Sequence, residues 1–292
     1  MRILFTIPHY FRGEGKRKRG KHGSLRNDPG PRIQALRAAV CSLHQTFGPN
    51  QRIIDIATRT ALLANTAQSH EIDVIICTTK GRHLLNKLNL SKELFEHHST
   101  NAEPLFLGFE CRRALRERLG IYDYYCYLED DLIITDPFFF TKLAWFNAHA
   151  GNRCLLQPNR FEKSFRGQYL KVYIDGDLAP HVTEKYQDVR EDPKLNGRVM
   201  NAGITLLRAR NPHSGCYFLN ARQMEHLARQ PYFLDRDTSF IGPLESAATL
   251  HIMRAFKVYK PAPGNACFLE VEHFGTSFLS LIGTTVSVPE AG

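Results

Sequence analysis

The chain has 292 residues, 43% of them hydrophobic and 23% charged, enough apolar side chain for a sizeable folded core and too much for a disordered chain. No stretch approaches the roughly 20 apolar residues of a membrane span. The net charge is +9, but Arg12, Lys16, Arg17, Lys18, Arg19, Lys21 and Arg26 against Glu14 place +6 of it between residues 12 and 26, so the remainder is only mildly basic.

In chain order, Met1 to Pro8 reads as a first strand with Ile3, Phe5 and Ile7 on one face. Its apolar run is too short for a signal peptide and no small-residue cleavage site follows, so a cytosolic protein is expected. The glycine- and lysine-rich segment 12–30 reads as a basic loop. Such a loop suits nucleic acid, peripheral contact with an anionic membrane face, or closure over a phosphorylated ligand. It lacks interleaved aromatics and any recognised nucleic-acid motif, so nucleic acid is not the expected main partner. Ile33, Leu36, Val40 and Leu43 recur at helical spacing up to Phe47-Gly48. Ile72-Asp73-Val74-Ile75-Ile76-Cys77 reads as an apolar run broken only by Asp73, the pattern of a buried parallel strand. Leu105 to Leu119 predicts a helix carrying Arg112, Arg113, Arg116 and Arg118, and Tyr122 to Leu128 a strand.

Asp136-Pro137 reads as an N-cap and first helical position opening a helix through Phe146. A short strand over 154–157 follows, then a weakly patterned stretch from Pro158 to Val199. Ala202 to Leu207 predicts a strand, Gly215 to Arg229 a helix, Leu244 to Phe256 an amphipathic helix, and Phe256 to Lys260 a strand stopped by Pro261. Alternating strands and helices imply an α/β fold with a mixed, mostly parallel central sheet and helices on both faces. Seven scattered cysteines without a C-x-x-C pair argue against a disulfide framework or a zinc site.

Chemistry concentrates at Tyr127-Leu128-Glu129-Asp130-Asp131-Leu132, where an apolar strand runs into three consecutive carboxylates. Adjacent acids repel one another, so a buried strand gains nothing from them alone. A solvated acidic turn is one reading. The other is a cation site, because Mg²⁺ and Mn²⁺ prefer carboxylate oxygens and are often held by one or two of them together with substrate phosphates.

The segment Tyr127-Leu128-Glu129-Asp130-Asp131-Leu132-Ile133-Ile134-Thr135-Asp136-Pro137-Phe138-Phe139 resembles the metal-binding segment of GT-A fold glycosyltransferases. It is most similar to the Glu-Asp-Asp form of the N-acetylglucosaminyltransferase I family. The resemblance implies one GT-A (Rossmann-like) catalytic domain over 1–292, with a metal and donor segment at 100–200 and an acceptor-side segment at 201–292. It further implies that Asp131 binds Mn²⁺ or Mg²⁺ holding the diphosphate of a nucleotide sugar, with Glu129 and Asp130 facing the ribose and sugar.

Pro243-Leu244-Glu245-Ser246-Ala247-Ala248, followed by Met253 to Pro261, is similar to a late segment of inverting family-2-like glycosyltransferases. There an acid opening the helix is the catalytic base, which implies that role for Glu245. Ser246 departs from the Glu-Asp or Asp-Asp common at this point, and Asp235 and Asp237 compete for the role. By the same resemblance His273 completes the metal shell, with Glu272 as its alternative, and Pro8 and Tyr10 lie against the nucleotide base. Arg112 and Arg113 contact the nucleotide, and Asn201 and Gly203 meet donor sugar or acceptor.

Each of these residues also has a plainer role open to it: helix-end electrostatics for Glu245, a structural hydrogen bond for His273, surface charge for the arginines, a turn for Asn201 and Gly203. The implied activity is transfer of a hexosyl or N-acetylhexosaminyl group, with inversion, to a glycan, lipid-linked or small-molecule acceptor. The alternatives are a nucleotidyltransferase of related fold, or a non-enzymatic cation- or nucleic-acid-binding protein.

Overall fold

A computed structural model of the chain describes residues 1–13, 23–25 and 27–288. The heart of the basic loop, residues 14–22 and 26, lies outside the described residues. The first half runs β1 (Arg2–Pro8), α1 (Gly30–Phe47), β2 (Arg52–Asp55), β3 (Thr60–Leu63), β4 (Glu71–Thr79), β5 (Glu96–Thr100), α2 (Leu107–Glu117), β6 (Tyr124–Leu128), β7 (Leu132–Ile133) and α3 (Phe139–Ala150). The second half runs β8 (Cys154–Leu156), β9 (Asn159–Lys163), β10 (Lys171–Tyr173), β11 (Lys194–Val199), β12 (Ala202–Arg208), β13 (Cys216–Asn220), α4 (Ala221–Ala228), α5 (243–255), β14 (Lys257–Pro261) and β15 (Glu270–His273).

The central sheet has the order β13-β6-β1-β4-β5. β6, β1, β4 and β5 are parallel, and β13 closes the edge antiparallel to β6. Alternation along β1 sends Ile3, Phe5 and Ile7 to one face and Leu4 to the other. On the first face they meet Leu36, Val40 and Leu43 of α1 and Phe139, Phe140 and Phe146 of α3. On the second, Leu4, Tyr125 and Tyr127 meet α2, α4 and α5 through Cys111, Leu115, Met224, Leu227, Ala248 and Ile252. The expected mixed, mostly parallel sheet with helices on both faces is therefore present. Gly108 is required where α2 crosses this layer: a Cβ there would stand 2.7 Å from Ala247 Cβ and 2.9 Å from the Tyr127 hydroxyl.

Two smaller sheets flank the carboxyl ends of the central strands, β10-β9-β15-β7 and β11-β12-β14-β8. They occupy much of the weakly patterned region. β11 was not readable because Lys194, Asn196 and Arg198 are polar, and it forms as the partner of apolar β12. Met200 and Asn201, with φ of 47° and 66°, make its two-residue turn, which suits the twist of a hairpin.

Two sequence expectations need correction. The helix expected over 215–229 is a strand and then a shorter helix: Cys216–Asn220 pairs with β6, and α4 begins at Ala221. The boundary is a capping box, with Asn220 Oδ1 accepting from Gln223 N–H and Gln223 Oε1 from Asn220 N–H. The helix expected to open at Asp136-Pro137 begins at Phe139. Asp136 still serves the entry, accepting Phe138 N–H at 2.9 Å and pairing with Lys142 at 2.6 Å. All seven cysteines are unpaired, and among the described residues no helix is long and apolar enough to cross a membrane.

Candidate functional site

Chain order reverses beside β1: β4 and β5 lie on one side of it, β6 on the other. Open α/β sheets bind ligands in the crevice at the carboxyl ends of strands at such a switch point. β1 ends there in Pro8-His9 and β6 in Glu129-Asp130-Asp131. The two strand ends are joined directly, His9 Nδ1 to Asp130 Oδ2 at 2.6 Å with both side chains buried. Leu84 N–H donates to His9 Nε2 at 3.1 Å, so the ring proton is on Nδ1 and His9 donates to the carboxylate.

Arg32, in the first turn of α1, bridges the acids, bonding Asp130 Oδ1 through Nη2 and Asp131 Oδ2 through Nη1 at 3.1 Å. Burial opposes charge on Asp130 more than any other single influence, but Arg32 and His9 together hold its carboxyl below the ordinary range. Glu129 is differently placed. Burial, only partly offset by Arg160 at 3.7 Å and aggravated by Asp131, pushes its carboxyl up to about 7. Gly215, at φ 62°, packs against this carboxylate, which leaves no room for a Cβ.

Below Glu129 lies a buried charged knot. Asp175 accepts a fork from Arg160, Nε at 3.0 Å and Nη2 at 2.8 Å, and a longer bond from Lys260 at 3.3 Å. Lys260 also donates to His213 O at 2.6 Å, and the His213 ring meets Thr249 Oγ1 of α5 at 2.9 Å. Burial, reinforced by Arg160, pushes the His213 imidazole down to about 3, so it is neutral.

His273 reaches the acids by register. β15 pairs antiparallel with β7, placing His273 opposite Leu132, and Phe274 N–H donates to Asp131 O at 2.8 Å. Its Nδ1 meets Glu162 Oε1 at 2.8 Å, and its Nε2 faces Asp131 Oδ2 at 3.8 Å. Burial disfavours the imidazolium, but Glu162 and Asp131 outweigh it and raise the His273 pKa.

The residues present fit a divalent cation. Asp131 Oδ1 is buried without a hydrogen-bond partner. A His whose other nitrogen is held by a carboxylate is the usual form of a metal-ligating imidazole. No group of three His, Cys, Asp or Glu side chains converges as a complete ligand set among the described residues. Asp131 and His273 would supply two ligands, leaving the rest to substrate oxygens and water.

Glu245 stands at the start of α5, where the helix packs on the 104–106 turn before α2. Its carboxylate makes no hydrogen bond or ion pair among the described residues, and it lies one turn from Thr249, which bonds His213. Ser246 is buried, exchanging two hydrogen bonds with the Phe240 backbone. Asp237 pairs with Arg254 at 2.6 Å, and Asp235 is 3.6 Å from the same guanidinium.

Pro8 and Tyr10 flank His9 at the switch point, Tyr10 half-buried against the α2 layer. Arg112 is buried, donating to Asp235 O at 2.6 Å, whereas Arg113 is exposed beside Glu110 at 3.6 Å. Asn201 lies in the hairpin turn, and Gly203 of the same hairpin faces open space. Gly197 of the partner strand packs on Trp145 of α3.

Sequence reasoning missed His9, Arg32, Arg160 and Glu162 as members of the site. Only His9 and Arg32 carried a local signal, a polar residue at the end of the first strand and a cation at the start of the first helix. Arg160 and Glu162 belong to the 158–199 stretch, on β9, which is fixed in the site by pairing with distant β15 as well as with neighbouring β10.

No protein-family model and no curated protein matches the chain. Among solved structures it is similar to S. aureus TarS 1-349, with TM-score 0.44 and 8% identity over 89% of this chain and 58% of that one. The form in complex with UDP gives 0.45, 8%, 89% and 57%, and the form in complex with UDP-GlcNAc 0.40, 12%, 89% and 56%. The chain thus spans less than two thirds of the length of these structures. The likeness is loose, and assignment of a reaction rests on the site itself.

Proposed function

We propose that the chain is a metal-dependent glycosyltransferase of the GT-A type, moving a sugar from a nucleotide-diphosphate donor to an acceptor hydroxyl with inversion. The observation that carries this reading is the placement of Asp131, with an unpartnered oxygen, beside His273 Nε2 at the carboxyl-end switch point of the sheet. Asp131 and His273 hold the cation, which when bound supplies Lewis-acid neutralisation of the leaving diphosphate. Asp130, tied to His9 and Arg32, keeps the two strand ends and α1 together beneath the donor. Pro8, Tyr10 and Arg113 line the nucleotide side, and Glu129 faces the sugar.

Glu245 is the base that takes the acceptor proton, for which it must come within about 3 Å of the hydroxyl. Its uncommitted carboxylate supports this role, whereas Asp235 and Asp237 share Arg254. Glu245→Gln is expected to keep donor binding and lower transfer by about 100-fold or more, from the lower bound of the range for a positioned base upward. Transfer that survives in this variant but is lost in Asp235→Asn moves the base upstream.

A competing reading, a structural acid cluster closed by arginine, is favoured by the bridge that Arg32 makes across Asp130 and Asp131. Melting temperature measured against nucleotide diphosphates and nucleotide sugars, each with Mn²⁺, Mg²⁺ or EDTA, separates the two. A ligand that binds only the folded state raises it by mass action. A metal-dependent rise for one donor is expected. No rise across the panel leaves the arginine-closed cluster.

A further inference from the structure

Glu162 is fully buried in β9, and every group it meets is a donor. Oε1 takes His273 Nδ1–H at 2.8 Å and Ser277 O–H at 3.2 Å. Oε2 takes the backbone N–H groups of Phe278 at 2.9 Å and Leu279 at 2.7 Å. A carboxylate with four converging donors is satisfied on both oxygens, and these bonds hold its carboxyl below the ordinary range even though burial pushes the other way.

The two oxygens serve different parts of the molecule. One fixes the imidazole whose Nε2 faces Asp131. The other clamps the backbone of a segment whose Phe278 ring lies edge-on to that imidazole, centroids 5.6 Å apart. Phe278 itself is 41% exposed, so apolar burial does little to hold this segment in place.

We infer that Glu162 is a positioning residue coupling His273 to the 277–281 segment, so that a divalent cation at Asp131 and His273 and the ordering of that segment reinforce each other. The inference rests on the metal reading of the proposed function. Fixing the imidazole by a cation also fixes the Oε1 side of Glu162, and the carboxylate can then clamp Phe278 and Leu279 without cost to His273. Coupling of this kind is reciprocal: whatever orders the segment tightens the cation site by the same factor.

The test uses the whole chain and Mn²⁺ alone. Saturating Mn²⁺ is expected to slow amide exchange at Phe278 and Leu279 in the unmodified protein by about 10-fold, within the usual range of coupling between sites. Glu162→Gln puts an NH₂ donor against N–H or O–H donors on one side or the other, so it cannot serve both. It is expected to weaken Mn²⁺ binding by about 10- to 100-fold, as loss of a partner that orients a metal ligand does.

Mn²⁺ binding that leaves those two amides unchanged overturns the inference, and so does a folded Glu162→Gln variant with unaltered Mn²⁺ affinity. The first measurement needs no variant and stands if Glu162→Gln fails to fold. An unmodified chain that binds no Mn²⁺, either alone or with a nucleotide diphosphate, removes the metal reading itself and this inference with it.

Discussion

Asp131→Ala is expected to abolish the metal-dependent rise in melting temperature given by a nucleotide sugar, while leaving the ligand-free melting temperature within a degree or two of the unmodified protein's (about 1 kcal/mol or less). A donor at 100 times its Kd stabilises by about 2.7 kcal/mol, which for a chain of this size is a rise of about 5 °C. On the proposed pair of ligands, loss of the carboxylate would leave His273 alone against a hard cation, and oxygen ligands dominate the affinity of Mg²⁺ and Mn²⁺. The fold does not depend on Asp131 in the same way. Asp130 keeps its bonds to His9 and Arg32, so the strand ends stay joined, and removing one of three adjacent acids relieves repulsion as it removes one partner of Arg32. Scanning melting with and without Mn²⁺ checks both parts. A variant that keeps the metal-dependent rise sinks the assignment of Asp131.

What the sequence disclosed divides along a physical line. Ile3, Phe5 and Ile7, the run from Val74 to Cys77, and Ala248, Ile252 and Phe256 of the 244–256 stripe are buried where the local apolar pattern puts them. The acid triplet was legible because three carboxylates after a buried strand are costly without a partner. The partners themselves were not legible. Arg32 lies 98 residues from Asp130, Glu162 lies 111 residues from His273, and no local rule links positions so far apart.

The 216–220 strand was read as helix for a related reason. Cys216, Tyr217, Phe218 and Leu219 are apolar on both faces, and such a run suits a buried strand or a buried helix equally; pairing with β6 decides. The Asn220 and Gln223 capping box was the local mark of the boundary.

The largest loss of stability is expected from Asp175→Asn. Asp175 is the shared counter-charge of Arg160 and Lys260, and all three side chains are buried. Replacing the carboxylate with an amide leaves two desolvated cations facing a neutral group that must also present a donor to them. Breaking a buried pair by removing one partner costs about 3–5 kcal/mol, well above the worth of an exposed ion pair. For this chain that is a fall in melting temperature of about 6 °C or more.

The dependence on pH has a definite sign. Although burial, the largest single influence, works against the charge, Lys260 and Arg160 together hold the Asp175 carboxyl well below the usual carboxylate range. A carboxyl depressed on folding contributes stability that is fully present above its unfolded value, about 3.9, and is lost as pH falls toward the folded value. The gap between unmodified and variant protein is therefore expected to be constant from neutrality down to about pH 5 and to close only below about pH 4. Denaturant unfolding at pH 7, 5 and 3 measures it. Adding Lys260→Met to Asp175→Asn removes one of the stranded cations and should recover part of the loss. A single variant as stable as the unmodified chain at pH 7 would mean that Arg160 finds its counter-charge in Glu129 alone.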